Sequence, residues 1–169
     1  MTPAQHEDVI SERLAEARSH IHRHNPEDAA EAVRGGALLV DLRPLEYRVR
    51  RGEVPGAVTV SRHVLEWRLD VTSAARLKEL EFGDTDREII LMCNEGYTSS
   101  LAAYQVRSLL GLSKVNDVAG GFAAWSAAGL PVTPRLGAAL RTEVPVTPHE
   151  PECPDPEPSI VAFSGGRRP

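Results

Sequence analysis

Apolar residues along this chain follow two rhythms. In the first stretch Ile10, Leu14 and Ala17 recur at helical spacing, which predicts a helix over 3–19 with Thr2 as cap and Pro3 in the first turn. A second helix is expected over 26–34. Asn25 can cap it, Pro26 suits its first position, Glu27 and Asp28 favour its positive end, and Gly35-Gly36 stop it. Four short runs rich in Val, Ile and Leu then read as strands: 37–42, 57–61, 88–93 and 114–119, the second and fourth partly interrupted by polar residues. Helix-compatible stretches lie among them at 63–69, 74–80, 99–110 and 122–128. This alternation predicts an α/β fold, a small mainly parallel sheet of four to five strands with helices on both faces.

From Pro134 onward the pattern dissolves. Eight prolines fall in the last 36 residues, many interleaved with acids in "PHEPECPDPEP", a composition with too little apolar surface to offset the ordering of its backbone. The expected organisation is a helical extension over 1–20, a domain over 21–133 and a disordered tail over 134–169.

Composition narrows the function. A formal net charge of −5, with no basic block beyond Arg50-Arg51 and Arg167-Arg168, gives no footprint for nucleic acid or acidic lipid, so neither is expected as a partner. No apolar run approaches the ~18 residues of a membrane span and no signal-peptide pattern opens the chain, so a cytoplasmic location is the default expectation. Two cysteines, Cys93 and Cys153, exclude a disulfide framework or a four-cysteine metal site. His20, His22 and His24 alternate in "HIHRHN" and would share one face of a strand. Nothing nearby completes a ligand set, so a polar entry strand and no metal are expected.

Cys93 is different. It ends the run "IILMC", where a parallel strand hands over to a helix and where α/β proteins place ligands. Asn94, Glu95, Gly96, Tyr97, Thr98 and Ser99 follow before the helical pattern resumes. Gly96 permits backbone conformations closed to other residues, so successive loop N–H groups can face inward as a nest for an anion. The positive end of the next helix adds to it. Both stabilise an anionic sulfur and make Cys93 a candidate nucleophile without a histidine base. Cys153 sits among acids in "PECPD" and is expected to be passive.

These residues carry a family likeness. With "LLVDLRP" holding Asp41 and Arg43, "GEVPGAVTV" from 52 to 60, the Cys93 loop, "DVAGGFAAW" from 117 to 125 and "AGLPV" in that order, the chain resembles a single-domain rhodanese over residues 21–133. The resemblance implies a sulfurtransferase in which Cys93 accepts sulfane sulfur from a small-molecule or protein-borne donor, holds it as a persulfide and passes it to a nucleophilic acceptor. It implies no cofactor. Asp41 and Arg43 would be supporting residues that orient loops at the carboxyl edge of the sheet. Phe122 and Trp125 would pack the last helix on the sheet.

Three departures from the family pattern bear on the donor. Asn94 and Thr98 stand where an arginine is often found, so no fixed cation is expected to grip an anionic donor and thiosulfate becomes doubtful. Thr98 can still hydrogen-bond the sulfur or cap the helix. Glu95 should repel dianions, which favours a neutral, zwitterionic or protein-borne donor. Glu53 replaces a frequent histidine, with no expected effect on sulfur chemistry. A cysteine phosphatase of related fold needs an arginine six residues after the cysteine, where this chain has Ser99. The alternative of another class is a non-enzymatic sulfur-carrying or partner-binding module.

Overall fold

The computed structural model describes residues 8–134. Among the described residues the first helix is α1 (Val9–Ser19), preceded by Asp8, which is extended and whose carboxylate accepts the Ser11 N–H at 2.9 Å; the expected helical positions 3–7 lie outside them. Thr2 and Pro3 lie outside the described residues, as does everything beyond Pro134, Cys153 included. Of the expected apolar face only Ala17 is buried, while Ile10 stands in solvent. The helix packs on the domain against the later helix α5 (Thr98–Leu110).

After α1 come β1 (Arg23–His24), α2 (Pro26–Arg34), β2 (Leu38–Asp41), α3 (Leu45–Arg51), β3 (Val58–Thr59), α4 (Leu65–Leu69), β4 (Ile89–Met92), α5, β5 (Val115–Val118) and α6 (Gly121–Ala127). The five strands form one sheet in the order β1-β5-β4-β2-β3, every neighbouring pair parallel. Asn25 caps α2 as expected, its side chain accepting the Asp28 N–H at 2.8 Å.

Side chains alternate across this sheet and build a core on each face. Leu38, Val40, Ile89, Leu91 and Val115 point to one side, where Leu65 and Leu69 of α4 and Ala102 and Val106 of α5 cover them. Leu39, Ile90, Met92 and Val118 point to the other, beneath Ala29 of α2 and Phe122 and Trp125 of α6. Burying a side chain of this size stabilises the fold by about 1.5–3 kcal/mol, which is why the central strands read as unbroken apolar runs.

Two helical expectations fail. Residues 74–80 form successive turns. The Leu77 N–H bonds the Arg68 carbonyl at 2.8 Å instead of continuing a local ladder, and Leu77 and Leu80 still reach the core. Conversely α3 forms where no helix was expected. It has no side-chain cap, ends at Gly52, and carries Tyr47 and Arg48.

The strand order sets the position of the site. The chain runs from β2 outward to β3, then returns to β4 on the opposite side of β2, so the loops leaving β2 and β4 diverge and open a crevice at their carboxyl ends. Arg43 follows β2 there, and Cys93 follows β4.

Candidate active site

Cys93 is 9% exposed and lies at the base of a cleft of about 380 Å³. Its backbone is pinned from beneath. The Phe122 N–H donates to the Cys93 carbonyl at 2.8 Å, and the Ala123 N–H donates to the Asn94 carbonyl at 2.9 Å. This contact demands a glycine at 121: a Cβ there would stand 2.4 Å from the Cys93 oxygen and 2.8 Å from the Gly96 nitrogen. "AGGFAAW" therefore does more than end a strand. It brings the start of α6 under the loop.

Above that floor the loop closes on the sulfur. The Gly96 N–H donates to Cys93 Sγ at 3.1 Å and the Ser99 N–H at 3.4 Å, the latter from the first turn of α5. Gly96 has φ of 79° and packs against Arg23 and the Gly120-Gly121 backbone, a position that leaves no space for a side chain. Two loop and helix-start N–H groups thus meet the sulfur.

Ser99 takes the part expected of Thr98. Its Oγ lies 3.3 Å from the sulfur, whereas Thr98 is exposed at the cleft wall and, among the described residues, neither bonds the sulfur nor caps α5. Asn94 is half-buried, and its Oδ1 is enclosed without a hydrogen-bond partner among the described residues. Glu95 and Tyr97 stand exposed on the rim.

Asp41 and Arg43 are both buried and locked together. Asp41 accepts from the Arg43 backbone N–H at 2.9 Å, from its Nε at 3.0 Å and from its Nη2 at 2.7 Å. Nη2 also donates to the Gly52 carbonyl at 2.9 Å, and the guanidinium carbon sits 3.5 Å from the Phe122 ring centre. The pair ties the end of β2 to the end of α3 and holds one wall of the cleft.

The absence of a loop arginine does not leave the cleft without cations. Arg43 and Arg62 both border it, from other elements. Each is already matched, Arg43 by Asp41 and Arg62 by Glu66 at 2.8 Å, with Gln105 also accepting from Arg62 at 2.8 Å. Glu95 has no hydrogen bond or ion pair among the described residues. Counted together with those two carboxylate partners, the charged groups at the cleft leave one excess negative, that of Glu95. Glu53 lies elsewhere, paired with Arg48 at 2.5 Å and bridged through its backbone to Thr133.

Behind the loop is a buried polar cluster that sequence reasoning missed. Asp117 on β5 is fully buried and accepts from Ser99 Oγ at 3.0 Å, Ser100 Oγ at 2.7 Å and Arg23 Nε at 3.0 Å. The Gly96 carbonyl accepts from Arg18 at 2.9 Å and Arg23 at 3.0 Å. One signal was available: an aspartate inside a strand buried along its whole length must have partners.

The histidines do not form a trio. His20 caps α1 and stacks on Tyr104 with ring centres 5.1 Å apart, while His22 meets His24 edge-on. His24 Nε2 lies 2.8 Å from Glu88, which also accepts from Asn116 at 2.8 Å. Burial alone would raise the Glu88 carboxyl, but these hydrogen bonds and the two nearby imidazoles hold it below its ordinary range. Among the described residues no group of three or more His, Cys, Asp or Glu is placed to hold a metal. No described helix is long and apolar enough to cross a membrane.

A rhodanese-like domain model matches residues 25–128, well over half of the chain. The chain belongs to the rhodanese-like domain family. A Rhodopseudomonas palustris protein of unknown function, described as a possible tyrosine phosphatase, shares 30% identity with this rhodanese-like chain. The match covers 79% of this chain and 100% of that one, at a TM-score of 0.65. A thiosulfate sulfurtransferase from Pseudomonas aeruginosa is 26% identical over 67% of this chain but only 19% of its own, at a TM-score of 0.51. The polysulfide-sulfur transferase homodimer of Wolinella succinogenes shares the fold at 20% identity, covering 73% of this chain and 85% of that one, at a TM-score of 0.58. No curated protein matches the chain.

Proposed function

We propose that this rhodanese-like domain is a sulfurtransferase that carries sulfane sulfur as a persulfide on Cys93. The observation behind this reading is the cysteine sulfur at the floor of an open cleft with the Gly96 and Ser99 N–H groups directed at it. An anionic Cys93 attacks the outer sulfur of the donor. A sulfur–sulfur bond forms as the donor's own bond to that sulfur breaks, and the donor residue leaves with the bonding pair. A nucleophilic acceptor then attacks the outer sulfur of Cys93–S–S⁻, and the cysteine leaves as the anion it was. No net oxidation occurs and no cofactor enters. Backbone dipoles fixed before the reaction stabilise the charge at each stage.

The unpaired Glu95 carboxylate on the cleft favours a donor that is neutral, zwitterionic or protein-borne over a small dianion. A phosphatase reading fits these residues poorly. Ser99, at the place of a phosphate-gripping arginine, is turned inward toward a buried carboxylate.

Intact mass after incubation with thiosulfate, a low-molecular-weight persulfide or a persulfidated protein tests the reading. A gain of one sulfur atom that cyanide or thiol removes, and that Cys93→Ala abolishes, is expected. No gain from any of the three donors overturns it. Transfer only to or from a protein partner would mark a dedicated sulfur carrier.

A further inference from the structure

Arg18 and Arg23 both precede residue 25, where the match to the family model begins, yet both reach the back of the Cys93 loop. Their target is the Gly96 carbonyl, the acceptor of both guanidinium groups. Gly96 is also the residue whose N–H meets the sulfur. Arg23 additionally pairs with Asp117 through Nε at 3.0 Å. Arg18 donates to Ser100 Oγ at 3.3 Å, and its guanidinium carbon lies 5.4 Å from the Tyr97 ring centre. Three residues of the loop and helix start, Gly96, Tyr97 and Ser100, are therefore held by α1 and β1.

The charges of this cluster do not cancel. Arg18 and Arg23 bring two positive charges and Asp117 one negative. Arg18 has no carboxylate partner among the described residues. One positive charge is left over, in a half-buried setting on the Gly96 carbonyl behind the loop, where screening by salt is weaker than at the open surface.

We propose that Arg18 and Arg23 are positioning residues. They clamp the loop so that the Gly96 N–H stays on Cys93, and the surplus cation, Arg18, completes its charge balance when the sulfur is anionic. The N-terminal helix is then part of the reactive site. A chain cut at the boundary of the family match would lose both guanidinium groups. The inference rests on Cys93 as the reacting sulfur but not on the identity of its donor.

Charge-selective alkylation of the full chain separates a charge role from a merely structural one. In a Cys153→Ser background, which leaves Cys93 as the single thiol, rate constants are measured for anionic iodoacetate and neutral iodoacetamide. Arg18→Gln is expected to lower the iodoacetate-to-iodoacetamide ratio by about threefold or more, and Arg18→Lys to keep it within about twofold. If both reagents slow in parallel in Arg18→Gln, or neither changes, the charge-balance role is overturned. Arg23→Lys keeps the cation without the fork that spans Asp117 and Gly96. It is expected to slow both reagents together, and unchanged rates there would overturn the clamp. Sulfur loading of the unaltered protein is read separately by mass. Loading with an unresponsive ratio sinks this inference alone, and a responsive ratio without loading sinks the sulfurtransferase reading alone.

Discussion

Ser99 Oγ lies 3.0 Å from Asp117 Oδ2, and the same oxygen is 3.3 Å from Cys93 Sγ. A hydroxyl has one proton to give. Donated to Asp117, it leaves a lone pair facing the sulfur, which suits a protonated thiol. Turned toward an anionic sulfur, it adds a third donor to the two backbone N–H groups. For the sulfur transfer proposed above, Ser99→Ala should therefore slow the second half-reaction, in which Cys93 would leave as an anion, by about tenfold. Single-turnover transfer from preloaded protein measures this, and an unchanged rate would remove Ser99 from the chemistry.

Asp117 is a structural keystone through the same contacts. Replacing it with alanine removes the carboxylate that accepts from Ser99, Ser100 and Arg23, and leaves Ser100 and Arg23, whose side chain is 24% exposed, only the Gly96 carbonyl as acceptor. Since Arg23 retains some access to water, the expected loss is about 2–4 kcal/mol, short of the upper range for a sealed ion pair. Urea unfolding of Asp117→Ala gives the value, and a change below about 0.5 kcal/mol would contradict the network.

Gly121→Ala should be as costly for a different reason. The added methyl would overlap the Cys93 carbonyl and the Gly96 nitrogen, and Gly121 has φ of 58°. Backbone strain and overpacking together predict a loss of about 2–4 kcal/mol, along with loss of sulfur loading as the loop is displaced. Gly56→Ala shares a positive φ, of 79°, but meets no atom within 4 Å, and is expected to cost about 1 kcal/mol. The difference between the two isolates the close approach.

Reversing the charge on the cleft rim should change donor choice. Glu95→Arg is expected to raise kcat/KM for thiosulfate several-fold, more at low salt than at high, because the unpaired negative charge facing the cleft is removed. Steady-state kinetics at two ionic strengths checks both parts. No gain would mean that Glu95 is simply solvated.

Glu88 gives the fold an acid-sensitive element. Its carboxyl is held below its unfolded value, so it contributes stability above the ordinary carboxylate range. That contribution is lost as pH falls through the lowered folded value. Glu88→Gln should flatten the acid limb of stability below about pH 5. Urea midpoints measured from neutral pH downward would show it, and parallel curves for the two proteins would refute it.

Much of this architecture was legible in the chain. The apolar runs around Val40, Ile90 and Val115 announced buried parallel strands, since such strands are covered on both faces and need no polar side. Cys93 at the end of one of them, before a loop with Gly96 and a helix, marked the candidate site. What misled were segments without a strong period. "AARLKEL" has helical spacing, but Leu77 and Leu80 reach the core from turns anchored on Arg68. "LEYRVRR" has no cap or clean apolar face, yet forms α3.

Local pattern thus determined the central strands, most of the helices and the place of Cys93 at the end of β4, because these depend on periodicity and on turn chemistry within a few residues. Only the tertiary structure decided what surrounds that sulfur. Arg18, Arg23, Ser99, Ser100 and Asp117 come from α1, β1, α5 and β5, segments separated by up to about a hundred residues. Parallel pairing of β1 with β5 places Arg23 opposite Asp117. Register across a sheet is fixed by the packing of both faces at once, and no window of sequence contains both partners.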